Sequence, residues 1–277
     1  MQELKTAKQG KLSFSQYLNA PQVTSLINET LGDKKVAKHF IASISSAVAL
    51  NPTLQECTPK TILTAALAGQ TLNLSPSPQM GHFYMVPFNN TKAGAKDAQF
   101  IVGYRGMLQL AMRSGQYKNI VISEIKESEL KKYDPINEEY EFEAIQSPQE
   151  RAKATTIGYY AKLVLINGFT KAIYWTREQM EMHALTYSKG YSAKKGYTFW
   201  EKNFDEMAKK TMIRQLISKW GIMSIEMQNA FDNDMAVIDE DGSKEYVDSP
   251  IQDDFIDTDY TVTPNSSAEA VSDAVKA

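Results

Sequence analysis

Residues 199–221, FWEKNFDEMAKKTMIRQLISKWG, set apolar side chains at helical spacing. At 100° per residue Ile213, Leu216, Ile217 and Trp220 share one broad face, Met212 flanks it and Phe204 lies opposite, so the pattern predicts one helix buried on more than one side. Its polarity agrees: Asn203 and Asp205 sit in the opening turns, Arg214 and Lys219 lie toward the end, and Gly221 stops it. Lys210 and Arg214 are four apart and project together, with Lys209 one step round. Like charges at that spacing repel by a few tenths of a kcal/mol, about 0.3, unless an anion lies near them.

The rest of the chain reads as alternating helices and hairpins. Helices are predicted over 14–31, interrupted near Pro21 and closed by Gly32, over 34–50, and over 59–68 from a Thr58 cap to Gly69. After a loop at 72–79, LNLSPSPQ, two strands at 81–88 and 99–104 form a hairpin, and Pro87 marks the first as an edge. A helix then opens at Gly103-Tyr104-Arg105-Gly106 and runs to about Ser114. Strands follow at 120–125 and 139–145 around a charged turn at 131–135, then at 157–166 and 169–175 around Asn167-Gly168, a strong hairpin signal. A helix at 177–188, a loop at 187–199 and a short helix at 224–235 precede an acidic stretch from Asp239 that is poor in large apolar residues and reads as disordered. The fold class is α+β, with antiparallel hairpins packed against helices. The expected division is an N-terminal helical segment at 1–58, a core at 59–236 and a tail at 237–277.

Charge divides the chain more sharply than its net of -3 implies. Residues 225–277 carry 14 acids against 2 lysines, which leaves 28 basic against 19 acidic residues in 1–224. Within residues 151–224 the ratio is 13 to 5. A basic body of this kind suits a polyanionic partner. The single cysteine, Cys57, excludes an internal disulfide and a multi-thiolate metal site, and with no apolar run of membrane length and no hydrophobic signal core at the start, a cytoplasmic setting is expected. His39, His82 and His183 lie far apart, without metal-ligand spacing.

Two stretches carry candidate chemistry for phosphates. A strand that ends in a Gly-flanked arginine at a helix start brings N–H groups and the Arg105 guanidinium to one place, although the same glycines also serve a tight backbone turn. The loop at 187–199 interleaves Lys189, Lys194 and Lys195 with Tyr187, Tyr191, Tyr197 and Phe199, as single-stranded nucleic acid needs, since phosphates take the charges and bases stack on the rings. Alternating Glu139, Glu141 and Glu143 read as a solvated strand face. Asp97 with Glu124-Ile125-Lys126 offers a competing reading, a carboxylate and Glu-x-Lys set that binds Mg²⁺ as in a metal-dependent nuclease. No Gly-rich loop ending in Lys-Ser/Thr is present, so no nucleotide cofactor is expected.

Between about residues 63 and 221 the chain resembles the RecT family of phage single-strand annealing proteins. The likeness rests on Leu72-Asn73-Leu74 before Phe83-Tyr84-Met85-Val86-Pro87-Phe88, on Gly103-Tyr104-Arg105-Gly106 followed by Arg113-Ser114-Gly115, on Tyr160-Ala161-Lys162, and on Trp200 with Glu206-Met207-Ala208-Lys209-Lys210-Thr211. Phe199 stands where the family pattern has proline. The resemblance implies a Rad52-like annealing core, a homo-oligomer forming rings or filaments on single-stranded DNA, ATP-independent annealing to duplex rather than enzymatic turnover, a 5′ to 3′ exonuclease partner and contact with a host single-strand binding protein. Annealing requires phosphates to be held while base edges stay free. On that basis Arg105, Arg113, Lys194, Lys195, Lys209, Lys210 and Arg214 are the expected phosphate ligands, with Tyr104 and Tyr191 as stacking residues.

Overall fold

The computed structural model describes residues 13–90, 94–196, 198–239 and 241–246. In chain order the elements are α1 (Phe14–Leu18), α2 (Pro21–Leu31), α3 (Lys34–Leu50), a single 3-10 turn (Leu54–Glu56), α4 (Pro59–Thr71), β1 (Phe83–Asn90), β2 (Ala95–Val102), α5 (Tyr104–Arg113), β3 (Tyr117–Lys126), β4 (Leu130–Asp134), β5 (Glu139–Phe142), α6 (Pro148–Lys153), β6 (Thr156–Leu165) and β7 (Thr170–Thr176). They continue as α7 (Arg177–Tyr187), α8 (Lys189–Ser192), α9 (Phe199–Lys202), α10 (Phe204–Trp220), α11 (Ile225–Asn233), β8 (Ala236–Ile238) and β9 (Lys244–Tyr246). The strands form three antiparallel sheets, β1-β2-β8-β9, β3-β6-β7 and the pair β4-β5. The mixed α and antiparallel β class expected from the sequence is what the chain adopts.

Two hydrophobic cores meet at α10. Ile213 and Ile217 enter the first, with α3, α4, β1, β2, α5 and α11, while Met207, Ala208, Met212 and Leu216 enter the second, with β6, β7, α7 and Trp200. Tyr117 and Ile122 of β3 pack against both. The predicted single apolar face is therefore divided, Ile213 and Ile217 on one side and Leu216 and Trp220 on the other. Phe14, Leu18, Ile27 and Phe40 lie in the same core as residues of α4 and β1.

Several boundaries differ from the sequence reading for identifiable reasons. The predicted helix at 199–221 is split at Asn203, whose φ of -139° and ψ of 54° leave the helical region. A capping box between Thr198 and Glu201 opens the short helix that precedes the break, and Phe204 meets Trp200 edge-on at 5.3 Å. Gly69 does not end α4; it lies inside the helix because the Phe83 ring packs where a Cβ would stand. Thr58 caps nothing with its side chain and instead donates to the Lys96 carbonyl. The turn expected at 131–135 contains β4, held to β5 by Lys132 on Glu139 and aromatic stacking of Tyr133 on Tyr140. Beyond Asp239, Lys244–Tyr246 pairs with β8, so the acidic region contributes a strand before residue 247; residues 247–277 lie outside the described set.

A buried ion cluster fastens α10 to its neighbours. Asp234, at the end of α11, accepts from Lys210 Nζ at 2.7 Å, from Arg214 Nη1 at 3.3 Å and from the Val102 backbone N–H at 3.0 Å. One carboxylate thus joins α10, α11 and β2. Burial pulls the Lys210 pKa below its ordinary value, against the opposing pull of Asp234. Removing the anion leaves two cations in an apolar interior, so Asp234→Ala is expected to cost about 3–5 kcal/mol in urea-monitored unfolding. A loss within about 0.5 kcal/mol would mean that the cluster does not hold the helix.

Candidate nucleic-acid interface

The stretch read from the sequence as a phosphate cradle lies where β1 begins and α5 begins. Gly103 N donates to the His82 carbonyl at 2.9 Å, and Cβ atoms on Gly103 or Gly106 would overlap the Gly81 and His82 carbonyl oxygens. These two glycines serve close approach of two backbones. Arg105 is exposed beside them, and its Nε donates to Tyr104 Oη at 3.3 Å. Arg113 is exposed at the far end of α5, and its Nη2 donates to the Leu72 carbonyl at 2.5 Å, tying the helix to the loop in which Leu72 and Leu74 are buried and Asn73 takes φ 52°. Burial, then the charges of Arg113 and Arg105, hold the His82 pKa below the usual histidine value, so both guanidiniums act on one electrostatic neighbourhood.

Lys209 joins this group from α10. Its ammonium lies 5.1 Å from the Tyr104 ring centroid, with the Arg105 guanidinium 5.8 Å from the same ring. Lys209 also pairs with Glu206 at 2.6 Å and Glu124 at 3.3 Å, and Glu124 pairs with Lys126 at 2.9 Å. Burial opposes the charge on Lys209, yet Glu206, Tyr104 and Glu124 hold its pKa above lysine's ordinary value. Tyr84 of β1 lies next to this group and meets Phe199 of α9 at 5.8 Å between ring centroids, a pairing not anticipated from the sequence. Tyr84 is in the FYMVPF run, but its partner follows only from the break at Asn203.

Lys194 and Lys195 are exposed on the turn after α8, and Lys194 has φ 49°. That turn is fixed from α9: Gly196 N donates to Glu201 Oε1 at 2.7 Å, and Thr198 N donates to Glu201 Oε2 at 2.9 Å. Tyr191 faces inward, 6.2 Å from Trp200 and 6.3 Å from Phe204, so it serves as a wall of the second core more than as an open stacking surface. Tyr197 lies outside the described residues.

Two expected phosphate ligands are corrected. Lys210 is 5% exposed, and its ammonium is spent on Asp234. Arg214 shares that carboxylate, lies over the Phe231 ring at 4.7 Å and has its Nε buried without a partner. One helical step separates the part-exposed Lys209 from the interior Lys210. The cations that meet are thus Arg105 and Lys209 at Tyr104, with Arg113 along α5.

The carboxylate set of the nuclease reading does not assemble. Asp97 is buried in the first sheet and accepts from Asn90 at 3.0 Å, whereas Glu124 lies on the second sheet and is paired with Lys126 and Lys209. Among the described residues no group of three His, Cys, Asp or Glu side chains could hold a metal ion. Glu139 and Glu143 pair with Lys132 and Lys131 on an exposed strand, as a solvated face requires. Among the described residues no helix is long and apolar enough to cross a membrane.

Residues 38–248 match the family model described as RecT family. The chain is 39% identical over 231 residues to the uncharacterized protein YqaK of Bacillus subtilis (strain 168), covering 83% of this chain and 73% of that protein. It is 30% identical over 226 residues to Protein RecT of Escherichia coli (strain K12), covering 79% and 78% respectively.

The wall behind the lysine turn carries a pH dependence. His183 of α7 lies 4.6 Å from Tyr187, 5.4 Å from Trp175 and 6.5 Å from Trp200, and burial lowers its pKa to about 4. The unfolded chain binds this proton near pH 6.5 and the folded chain does not, so stability falls as pH drops through the window from about 6.5 to about 4, by up to about 3 kcal/mol. Wild type should lose melting temperature across that window more steeply than His183→Gln. Parallel curves would show that the imidazole is not held neutral.

Proposed function

The chain belongs to the RecT family, and we propose that it holds single-stranded DNA by its phosphates and pairs it with a complementary strand without ATP, in phage recombination inside a bacterial cell. Family membership supports a role in single-strand annealing and recombination, with single-stranded DNA binding and oligomerisation. A 5′ to 3′ exonuclease supplies the single strand in this reading.

The observation that carries the proposal is the meeting of Arg105 and Lys209 at the Tyr104 ring, from a helix start and a central helix far apart in sequence. Arg105, Arg113, Lys194 and Lys195 are the exposed cations of the predicted set, and they act as phosphate ligands. Lys209 reinforces them once a phosphate competes with its carboxylates. Lys210 and Arg214 set the helix position and touch no DNA. Contacts of this kind ignore base identity and leave the pairing edges open to a second strand, so base pairing itself drives the product.

Four phosphate contacts per protomer give a slope of roughly -3 for log affinity against log salt on a single strand. Fluorescence anisotropy with labelled oligonucleotides should return a slope at least that steep. Arg105→Ala with Lys194→Ala and Lys195→Ala should reduce its magnitude by about 2 on every sequence tested. A flat salt response in wild type removes the reading. In the activity assay, complementary strands should form duplex faster with the protein and no ATP, and labelled single strand should stay uncut in Mg²⁺ or Mn²⁺; ATP-dependent pairing or cleavage would contradict it.

A further inference from the structure

One motif has no part in the cradle: Tyr160-Ala161-Lys162 on β6, the middle strand of β3-β6-β7. Alternation along β6 turns Tyr159, Ala161 and Leu163 into the second core and sends Tyr160, Lys162 and Val164 to the opposite face. Register places Val121 and Ala172 on either side of Lys162, and Ser123 and Tyr174 on either side of Tyr160. The β4-β5 hairpin lies against the Tyr160 end of this face, where Tyr133 meets Tyr174 edge-on at 5.2 Å while remaining 37% exposed.

The charges on this side of the molecule are distributed unevenly. Around the hairpin, Lys131 pairs with Glu143, Lys132 with Glu139 and Lys171 with Glu138. Lys162, by contrast, has no side-chain hydrogen bond or ion pair with any described residue, and the same is true of Lys118, exposed at the β3 bulge beside the same face. A lysine whose strand neighbours are Val121 and Ala172 has no counter-ion among the described residues, which favours an incoming anion.

We propose that this outer sheet face is a second surface for single-stranded nucleic acid, with Lys162 and Lys118 taking phosphates and Tyr133 offering a ring to a base. The inference rests on the annealing reading for its ligand class, but on residues that reading does not use. Charge complementarity selects a polyanion, and the exposed ring selects one with unpaired bases. A strand held here, apart from the cradle, gains effective concentration for engagement at the cradle on the same protein.

The test is anisotropy of a fluorescein-labelled oligothymidylate across a salt series. Lys118→Ala with Lys162→Ala should make the slope shallower by about 1.4, two contacts at about 0.7 each, and Lys162→Arg should retain the wild-type slope. Tyr133→Ala should weaken binding about fivefold or more at unchanged slope, because stacking releases no counter-ions. If the double variant melts below wild type, Lys118→Ala alone, on an exposed bulge, should still shift the slope by about 0.7. An unchanged slope in folded variants overturns this surface while leaving the cradle reading intact, whereas failure of wild type to bind the oligonucleotide overturns both. A change in assembled mass by light scattering without a change in slope overturns it in favour of a contact between copies.

Discussion

The interior carboxylate of Asp234 is the constraint on which the other placements depend. A helix packed on two sides has little solvated surface for long cations, yet α10 carries Lys209, Lys210 and Arg214 within six positions. Asp234 takes up two of these charges and at the same time receives the Val102 N–H, so the helix is held in register with β2 and α11 rather than merely pressed between apolar surfaces. Dispersion and burial give the two cores most of their stability, and the paired buried charge adds a directional contact that apolar packing lacks.

The rotation of α10 determines the chemistry at the seam. With Lys210 turned inward, the preceding residue is carried toward Tyr104, and the start of α10 is brought beside the start of α5. The break at Asn203 adds a second adjustment by releasing Phe199 from the helix axis so that it meets Tyr84. The lysine turn depends on the same region, since Glu201 both closes α9 and accepts from Gly196. Cradle and turn thus both lean on the N-terminal end of one short helix, and the distance in sequence between Arg105 and Lys195 conceals a common support.

Much of this was legible in the residues, and the failures have local causes. Periodicity located α3 at its observed ends, and Asn167-Gly168 located the β6-β7 hairpin, because both signals are short-range. The role of α10 as a helix buried on more than one side was also readable. Which of two adjacent lysines faces a carboxylate was not, because Asp234 is 24 residues away from Lys210 and its approach depends on how α11 folds back. Gly69 misled as a stop signal since its purpose, room for Phe83, is tertiary. The Thr198 capping box is written in the sequence, but the longer apolar pattern runs across it. β9 was hidden by its acidic surroundings, where strand propensity is weak and pairing with β8 decides.

The carboxylates around Lys209 have a consequence for release. In the unbound protein Glu206 and Glu124 already occupy the ammonium, so a phosphate arriving there replaces one anion with another and gains only the difference between them. For a strand held there as proposed, the same two side chains are at hand to receive the cation on its departure. A cation that keeps its own carboxylates at hand holds a phosphate less tightly than a bare one, which suits the strand pairing proposed above.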